Sequence, residues 1–217
     1  MISSMRRSCV TRSKNCKATD MKILYGTTNP AKLQSMRKWL SELDIELVSL
    51  RDVEGEIPDV PETGDTPLEN AELKARAYYK AFGMPVFSCD SGLYFDSLPE
   101  LSPKVHVRNV GGKCLTDDEM IEYYGGLAAK YGDIVARYRN AICFVLDEQH
   151  IYTEFSDDIS WNPFLITAVP HPKRVQGYPL DSLSKYIENG EYCYDSERPQ
   201  HEENNGFARF FGEVLNK

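Results

Sequence analysis

The sequence predicts an α/β fold built on a mixed β-sheet. Short apolar runs of strand length alternate with amphipathic helical patterns from Met21 onward. Further along the chain, two longer apolar runs flank a short polar turn, which is typical of an antiparallel hairpin. Alternating strands and helices favour parallel pairing, and a hairpin adds antiparallel pairing. We therefore expect one domain over residues 21–217, with a mixed sheet and flanking helices.

The first two elements are a strand over residues 22–27 and a helix that follows directly. The chain turns between them through Thr28, Asn29 and Pro30. Thr28 or Asn29 is a suitable N-cap, and proline is favoured in the first helical turn. The apolar positions of this helix recur at helical spacing: Leu33, Met36, Leu40 and Leu43.

A second strand is predicted over residues 45–49, and a polar loop follows from Asp52 to Asp65. The next helical pattern covers residues 68–82, and the Gly-Met-Pro sequence at 83–85 ends it. Its apolar stripe consists of Leu68, Ala71, Ala75, Tyr78 and Phe82.

A third strand is predicted over residues 86–89, ending in the Asp-Ser-Gly turn at 90–92. A third helix covers residues 116–131, with Thr116 as its N-cap. Two further strands, 135–146 and 151–159, form the hairpin.

The C-terminal part has weaker patterns. Residues 161–205 read as irregular, and residues 205–215 predict a closing helix.

The charge pattern excludes several partners. The net charge is −8, and residues 1–20 hold five basic side chains and one acid, so the other 197 residues carry 20 basic and 32 acidic groups. An acidic body binds duplex nucleic acid poorly. A small phosphorylated ligand would need local lysines and a divalent cation.

Because no run approaches ~18 apolar residues, we expect no membrane-spanning helix.

Residues 1–20 differ in composition from the rest of the chain. They lack an apolar stretch, so they are not a secretory signal peptide. We interpret them as a disordered tail or as an extension upstream of a natural start at Met21, with a transit peptide as the alternative. Six cysteines without a CxxC pair and four histidines without metal-ligand spacing indicate reduced thiols, a cytoplasmic location and no structural zinc site.

Three segments could carry chemistry. In the first, Thr27 to Lys32, a helix N-terminus and a lysine in its first turn suit a phosphate, although such a lysine is more often solvated surface. In the second, Asn70 and Lys74 share one helical face, and Glu62 precedes them in a loop from which it could reach a metal ion. The alternative for this second segment is an exposed face with a flexible acidic loop.

The third segment is the apolar strand that ends at Asp90. A carboxylate at the end of a strand in an α/β protein could hold Mg²⁺ or act as a general base toward water. A structural turn residue before glycine is the alternative.

Taken together, the three segments resemble the non-canonical purine nucleoside triphosphate pyrophosphatases, the inosine/xanthosine triphosphatase family. Residues 27–32 match its Thr-x-Asn-x-x-Lys turn, and residues 62–75 match its long Glu-Thr-Gly-x-Thr-x-x-Glu-Asn-Ala-x-x-Lys-Ala motif. Residues 89–93 correspond to its Asp-Asp-Ser-Gly-Leu signature. A weaker match places Pro103 and Arg108 like its Pro-Gly…Ser-Ala-Arg segment. The resemblance covers about residues 21–146.

This resemblance implies an elongated mixed sheet with two lobes around a cleft, usually as a homodimer. The implied reaction converts a nucleoside triphosphate and water to the monophosphate and pyrophosphate, with Mg²⁺. By position, Glu62 and Asp90 would bind the metal ion, and Asp90 would also activate water. With Asp90, the implied catalytic residues are Lys32 and Lys74. The implied substrate-binding residues are Thr28, Asn29, Lys32, Asn70, Lys74, Ser91, Arg108, Tyr178 and Arg209.

The sequence departs from the family pattern at two places. Cys89 replaces the first aspartate of Asp-Asp-Ser-Gly, where we interpret it as a buried filler rather than a nucleophile. The Ser-His-Arg sequence that reads the purine in the family is absent, so Tyr178 would stack on the base and Arg209 would substitute in part. We expect an altered base preference. The alternatives are a catalytically weak nucleotide-binding relative with a regulatory role, or a phosphohydrolase acting on another phosphorylated metabolite.

Overall fold

The computed structural model describes residues 21–195 and 206–216. The interpretation of residues 1–20 lies outside these described residues, as do the last ten residues of the segment expected to be irregular. Within the described part of the chain, no helix combines the length and the apolar character needed to cross a bilayer.

The fold is α/β, as predicted. Its helices are α1 (Pro30–Trp39), α2 (Pro67–Phe82), α3 (Asp117–Tyr131) and α4 (Gly206–Leu215). Its strands are β1 (Met21–Tyr25), β2 (Ile45–Ser49), β3 (Val86–Phe95), β4 (Asn109–Val110), β5 (Lys113–Cys114), β6 (Ile134–Val145), β7 (Ile151–Glu154), β8 (Phe164–Ile166) and β9 (Ser184–Lys185).

Seven strands form one mixed sheet in the order β2-β1-β3-β6-β8-β9, and β7 also pairs with β6. The pairs of β1 with β2 and β3 are parallel, and the pairs from β3 onward are antiparallel. The predicted combination of parallel strand–helix units with a hairpin is therefore confirmed. The remaining strands, β4 and β5, form a separate two-stranded sheet.

Strand β3 is longer than predicted, and this corrects the expected position of Asp90. The strand does not end in a turn at 90–92, because β6 pairs with it antiparallel from Val86↔Val145 to Phe95↔Ala136. Strand β1 pairs with β3 only as far as Phe87. Asp90 therefore lies in the middle of a strand, just beyond the point where the parallel part of the sheet ends.

Two separate apolar clusters pack on one face of β3. Phe87 belongs to a cluster with side chains of α1 and α4, whereas Leu93 and Phe95 belong to a cluster with α3. Ser91, which faces the same side between them, is exposed. The chain thus packs as two lobes on a shared sheet, with Ser91 exposed between them.

Helix α2 covers the opposite face of β3. Thr66 caps it by a reciprocal capping box with Glu69, and Gly83 ends it in the left-handed conformation. Ala71, Ala75 and Tyr78 pack against Val86 in a third cluster. Because Asp90 projects to the same face as Val86, the helix brings its polar side chains over Asp90.

The predictions were less accurate toward the C-terminus. Strand β7 ends at Glu154, and a 3₁₀ turn at Asp157–Ile159 replaces the expected continuation to 159. The segment expected to be irregular contains β8 and β9, which have three and two residues. Strands this short are defined by their neighbours in the sheet rather than by a local pattern.

We predict that Gly26→Ala destabilises the protein by about 1–3 kcal/mol, the usual cost of overpacking a buried site. A Cβ at this position would lie 2.2 Å from Ser88 Oγ and 2.7 Å from the Tyr78 ring. The matched control is Gly126→Ala in α3, where a Cβ meets nothing within 4 Å. Removing a helical glycine there should stabilise the fold by about 0.5–1 kcal/mol.

Urea unfolding followed by circular dichroism measures both free energies of unfolding. If the two variants were equally stable, the close approach of Gly26 to Ser88 would not constrain the fold.

Candidate functional site

The N-terminus of α1 is organised by local hydrogen bonds. Asn29 N donates to Thr27 Oγ1 at 3.1 Å, and Lys32 N donates to Asn29 Oδ1 at 3.4 Å. Asn29 is thus the residue that caps the helix, as predicted for this turn. The arrangement places the Lys32 side chain in the first turn, where the positive end of the helix dipole adds to its charge.

Asn70 anchors the loop in front of α2 rather than lying on an open face. It is 1% exposed, and its Oδ1 accepts a hydrogen bond from Gly64 N at 2.8 Å. This contact holds the loop that carries Glu62 against the helix. The alternative of an exposed face with a flexible acidic loop is therefore wrong for Asn70.

Lys74 joins the second and third segments. Its Nζ lies 2.9 Å from Glu62 Oε1 and 3.1 Å from Asp90 Oδ1. The Lys74 and Asp90 side chains are only 12% and 13% exposed, whereas Glu62 lies at the surface. Burial alone would lower the pKa of Lys74, but the charges of Asp90 and Glu62 outweigh it and the pKa is raised. The ammonium group therefore stays charged at neutral pH.

A cavity of about 210 Å³ lies beyond the carboxyl end of β1, where all three segments meet. Strand β1 stops there, and Cys89 is the β3 residue that reaches this space. Its polar lining includes Thr27, Thr28, Lys32, Glu62 and Lys74, and Cys89 also lines it. Asp90 is connected to the cavity through its ion pair with Lys74.

Cys89 packs against the apolar cluster of α1 and α4 and interacts with Tyr25. Burial raises the pKa of the Cys89 thiol to about 12, and the positive charges of Lys32 and Lys74 offset this only in part. A thiol that stays protonated is a poor nucleophile. These observations support the interpretation of Cys89 as a packing residue.

Ser91 lies on the exposed stretch of β3 between the two apolar clusters. Its Oγ donates to Asn140 Oδ1 at 2.7 Å, and Asn140 Nδ2 donates to Ile159 O at 2.7 Å. The hydroxyl is thereby oriented by a buried amide while its residue remains exposed.

Arg108 and Tyr178 belong to a second group at the N-terminus of α3. Arg108 donates to Leu115 O at 2.9 Å and to Asp117 Oδ1 at 2.8 Å. Asp117 Oδ2 accepts a hydrogen bond from Gly177 N at 2.8 Å, and the adjacent Tyr178 ring is 46% exposed. Sequence reasoning missed Asp117, because nothing in its local pattern distinguishes it from the neighbouring acids of the helix.

Arg209 lies in neither group. Its guanidinium contacts Glu154, lies 3.3 Å from Asp158 Oδ2 and lies 3.2 Å from Glu213 Oε1. A role in reading a base would require Arg209 to leave three carboxylates.

Two carboxylates, Glu62 and Asp90, are the candidate metal ligands. No set of three or more His, Cys, Asp or Glu side chains forms a metal cage among residues 21–195 and 206–216. Lys74 already places a positive charge between the two carboxylates, which shows that the site accommodates a cation.

Comparisons with known proteins agree with this geometry. The model of the Ham1 family matches residues 23–160. A curated relative, the dITP/XTP pyrophosphatase of Oceanobacillus iheyensis, is 37% identical over 101 residues, which cover 46% of this chain and 51% of that protein. The chain thus spans about half the length of the curated relatives it matches.

Solved structures match over a longer part of the chain. A HAM1 protein from Coxiella burnetii has a TM-score of 0.67 at 26% identity, covering 90% of this chain and 95% of that one. A nucleoside-triphosphatase / dITP/XTP pyrophosphatase from Mycobacterium abscessus has a TM-score of 0.66 at 25% identity, covering 91% and 100%. The resemblance in the three motifs therefore extends to the fold.

We predict that Cys89 resists alkylation by iodoacetamide at pH 8, whereas the exposed Cys114 reacts readily. With a pKa of about 12, about one Cys89 side chain in ten thousand is a thiolate at that pH. Mass spectrometry of the peptides measures each cysteine separately, and the same reaction in urea provides the control. Labelling of Cys89 as fast as Cys114 in the folded protein would restore the nucleophile interpretation.

Proposed function

The chain belongs to the Ham1 family, and on this premise we propose that it is a nucleoside triphosphate pyrophosphohydrolase that uses Mg²⁺. The proposed reaction yields a nucleoside monophosphate and pyrophosphate from a non-canonical purine nucleotide. The observation that carries the proposal is the convergence of Lys32, Glu62 and Lys74 at one cavity, with Asp90 paired to Lys74.

The donor set at this cavity fits Mg²⁺. This ion is usually held by one or two carboxylates together with substrate phosphates and water, rather than by a complete protein cage. Glu62 and Asp90 supply two carboxylates, and Lys74 occupies the position of a cation between them. When bound, Mg²⁺ would neutralise phosphate charge and polarise the anhydride that is cleaved.

The chain's own residues have distinct roles in this proposal. Lys32 and the N-terminus of α1 face the triphosphate, where fixed positive groups stabilise developing charge. An Oδ atom of Asp90 accepts the proton of the attacking water. Lys74 pairs with Asp90, and it also donates to a phosphate oxygen of the nucleotide.

The proposal extends to partners and location. The net charge of −8 disfavours duplex nucleic acid as a partner. It is compatible with a small anionic substrate that binds together with its own cation. We further propose a homodimer, as the resemblance implies, and a cytoplasmic location, as the cysteine pattern indicates, with no membrane partner.

Base preference is the point where the chain differs most from the pattern of its family. Discrimination between inosine and adenosine depends on a buried donor for the 6-oxo group, and an unpaired donor costs about 1–3 kcal/mol. Arg209 is engaged by three carboxylates. The exposed Tyr178 ring can stack on a base, but stacking lacks the directional requirement of a hydrogen bond. We therefore propose a relaxed or altered base preference.

A pyrophosphate-release screen tests the function and the base preference together. We predict turnover with Mg²⁺ and discrimination between ITP and ATP below about 100-fold, the upper range for one lost hydrogen bond. The values of kcat/KM are compared for ITP, XTP, ATP, GTP and dUTP at one Mg²⁺ concentration. Tight binding without turnover would instead identify a regulatory relative, and exclusive use of ITP and XTP would show that other residues rebuild the base pocket.

We predict that Asp90→Asn lowers kcat at least ~10²-fold, the low end of a general-base contribution. The amide neither accepts the proton nor neutralises Mg²⁺, although it preserves the shape of the side chain. Asp133→Asn is the control, since Asp133 is exposed after α3 and lies outside the cavity. Both variants should show native circular dichroism. Full activity of Asp90→Asn would overturn the assignment of Asp90.

A further inference from the structure

Asp117 connects the segment that carries Arg108 to the segment that carries Gly177 and Tyr178. Its Oδ1 accepts a hydrogen bond from Arg108 Nη2 at 2.8 Å, and its Oδ2 accepts one from Gly177 N at 2.8 Å. The bond from Gly177 and then that from Arg108 lower the pKa of Asp117, so the carboxylate is charged at neutral pH. One carboxylate thus satisfies a donor from each segment.

The position of the Asp117 carboxylate is fixed by the packing and capping of α3. Asp117 is the first residue of α3, where Thr116 and Glu119 form a reciprocal capping box. One and two turns further, Met120 and Tyr124 are buried in the α3 cluster, and Tyr124 Oη donates to Val107 O at 2.7 Å. The helix therefore fixes the carboxylate and the backbone next to Arg108 at the same time.

The exposed segment that carries Tyr178 is held in place by its hydrogen bond to Asp117. Residues 172–178 are exposed, and Tyr178 N donates within the segment to Val175 O. Gly177 has a φ of +82°, a conformation that favours glycine, and this turn aims its N–H at Asp117. The hydrogen bond ties the position of the Tyr178 backbone to the start of α3.

We propose that Asp117 is a positioning residue that sets Arg108 and Tyr178 at a fixed separation, so that one contacts the triphosphate while the other stacks on the base. This inference rests on the proposed function. Its chemical reason is that a carboxylate with two acceptor oxygens can hold an arginine and a backbone N–H simultaneously. Neither donor alone would fix the distance between the phosphate and base ends of the ligand.

The first test compares Asp117→Ala with Asp118→Ala by steady-state kinetics. Both acids lie in the first turn of α3, where each interacts favourably with the helix dipole. Because Asp118 is exposed, the difference between the two variants reports the contacts of the Asp117 side chain. For Asp117→Ala we expect KM for ITP to rise about tenfold, the effect of losing one hydrogen bond to a charged group. We expect kcat to change by less than about twofold, because binding rather than chemistry is altered. Asp118→Ala should match the parent.

A double-mutant cycle tests whether Asp117 acts through Tyr178. The dissociation constant of the α,β-methylene analogue of ITP, whose scissile bond is not hydrolysed, is measured for Asp117→Ala, Tyr178→Ala and the double variant. If Asp117 positions Tyr178 as well as Arg108, the double variant should lose less binding than the sum of the two single losses, because coupled residues are not additive. Asp117→Asn, which offers one acceptor oxygen in place of two, should fall between the parent and Asp117→Ala.

The outcomes separate this inference from the proposed function. Equal KM values for Asp117→Ala and Asp118→Ala in an active enzyme, or additive effects in the cycle, would overturn the positioning role alone. A parent protein that neither hydrolyses nor binds any nucleoside triphosphate would overturn both. Thermal unfolding of each variant checks that a rise in KM does not come from loss of the fold.

Discussion

The antiparallel ladder between β3 and β6 supports every other part of this molecule. Strand β3 carries three different environments along ten residues: an apolar end under α1 and α4, a polar centre, and an apolar end under α3. Strand β6 pairs with it over the whole length, so the polar centre at Asp90 and Ser91 is held in regular backbone geometry. A site on a paired strand is more rigid than one on a loop, and rigid placement favours catalysis.

The position of Asp90 on β3 determines how its charge is compensated. Asp90 is nearly buried, and an isolated buried carboxylate would be costly. Helix α2 crosses the same face of the sheet and supplies Lys74, while Asn70, one turn earlier, fixes the loop that brings Glu62. One helix therefore provides both the counter-ion and the anchor of the second carboxylate.

The sequence was sufficient to predict the parallel half of the sheet, α1 to α3 and the meeting of Lys32, Glu62, Lys74 and Asp90. The strands and helices depend on local signals, namely caps, helical periodicity and turn residues. The meeting of the four side chains was implied by the family resemblance alone. The sequence was insufficient for the length of β3, because Gly92 within the motif suggested a turn, whereas pairing with β6 continues the strand. Asp117 was missed for a similar reason: its partners, Arg108 and Gly177, are 9 and 60 residues away in sequence. Contacts over such separations depend on the packed fold.

The ammonium of Lys74 between Glu62 and Asp90 has a consequence for how the protein is handled. Domains whose acidic or thiolate ligands meet without an internal cation fold only when their ion is present, and chelators unfold them. Here the chain supplies its own positive charge, so the two carboxylates are compensated without a divalent ion. We therefore expect the polypeptide to stay folded during purification in EDTA and storage without divalent salts.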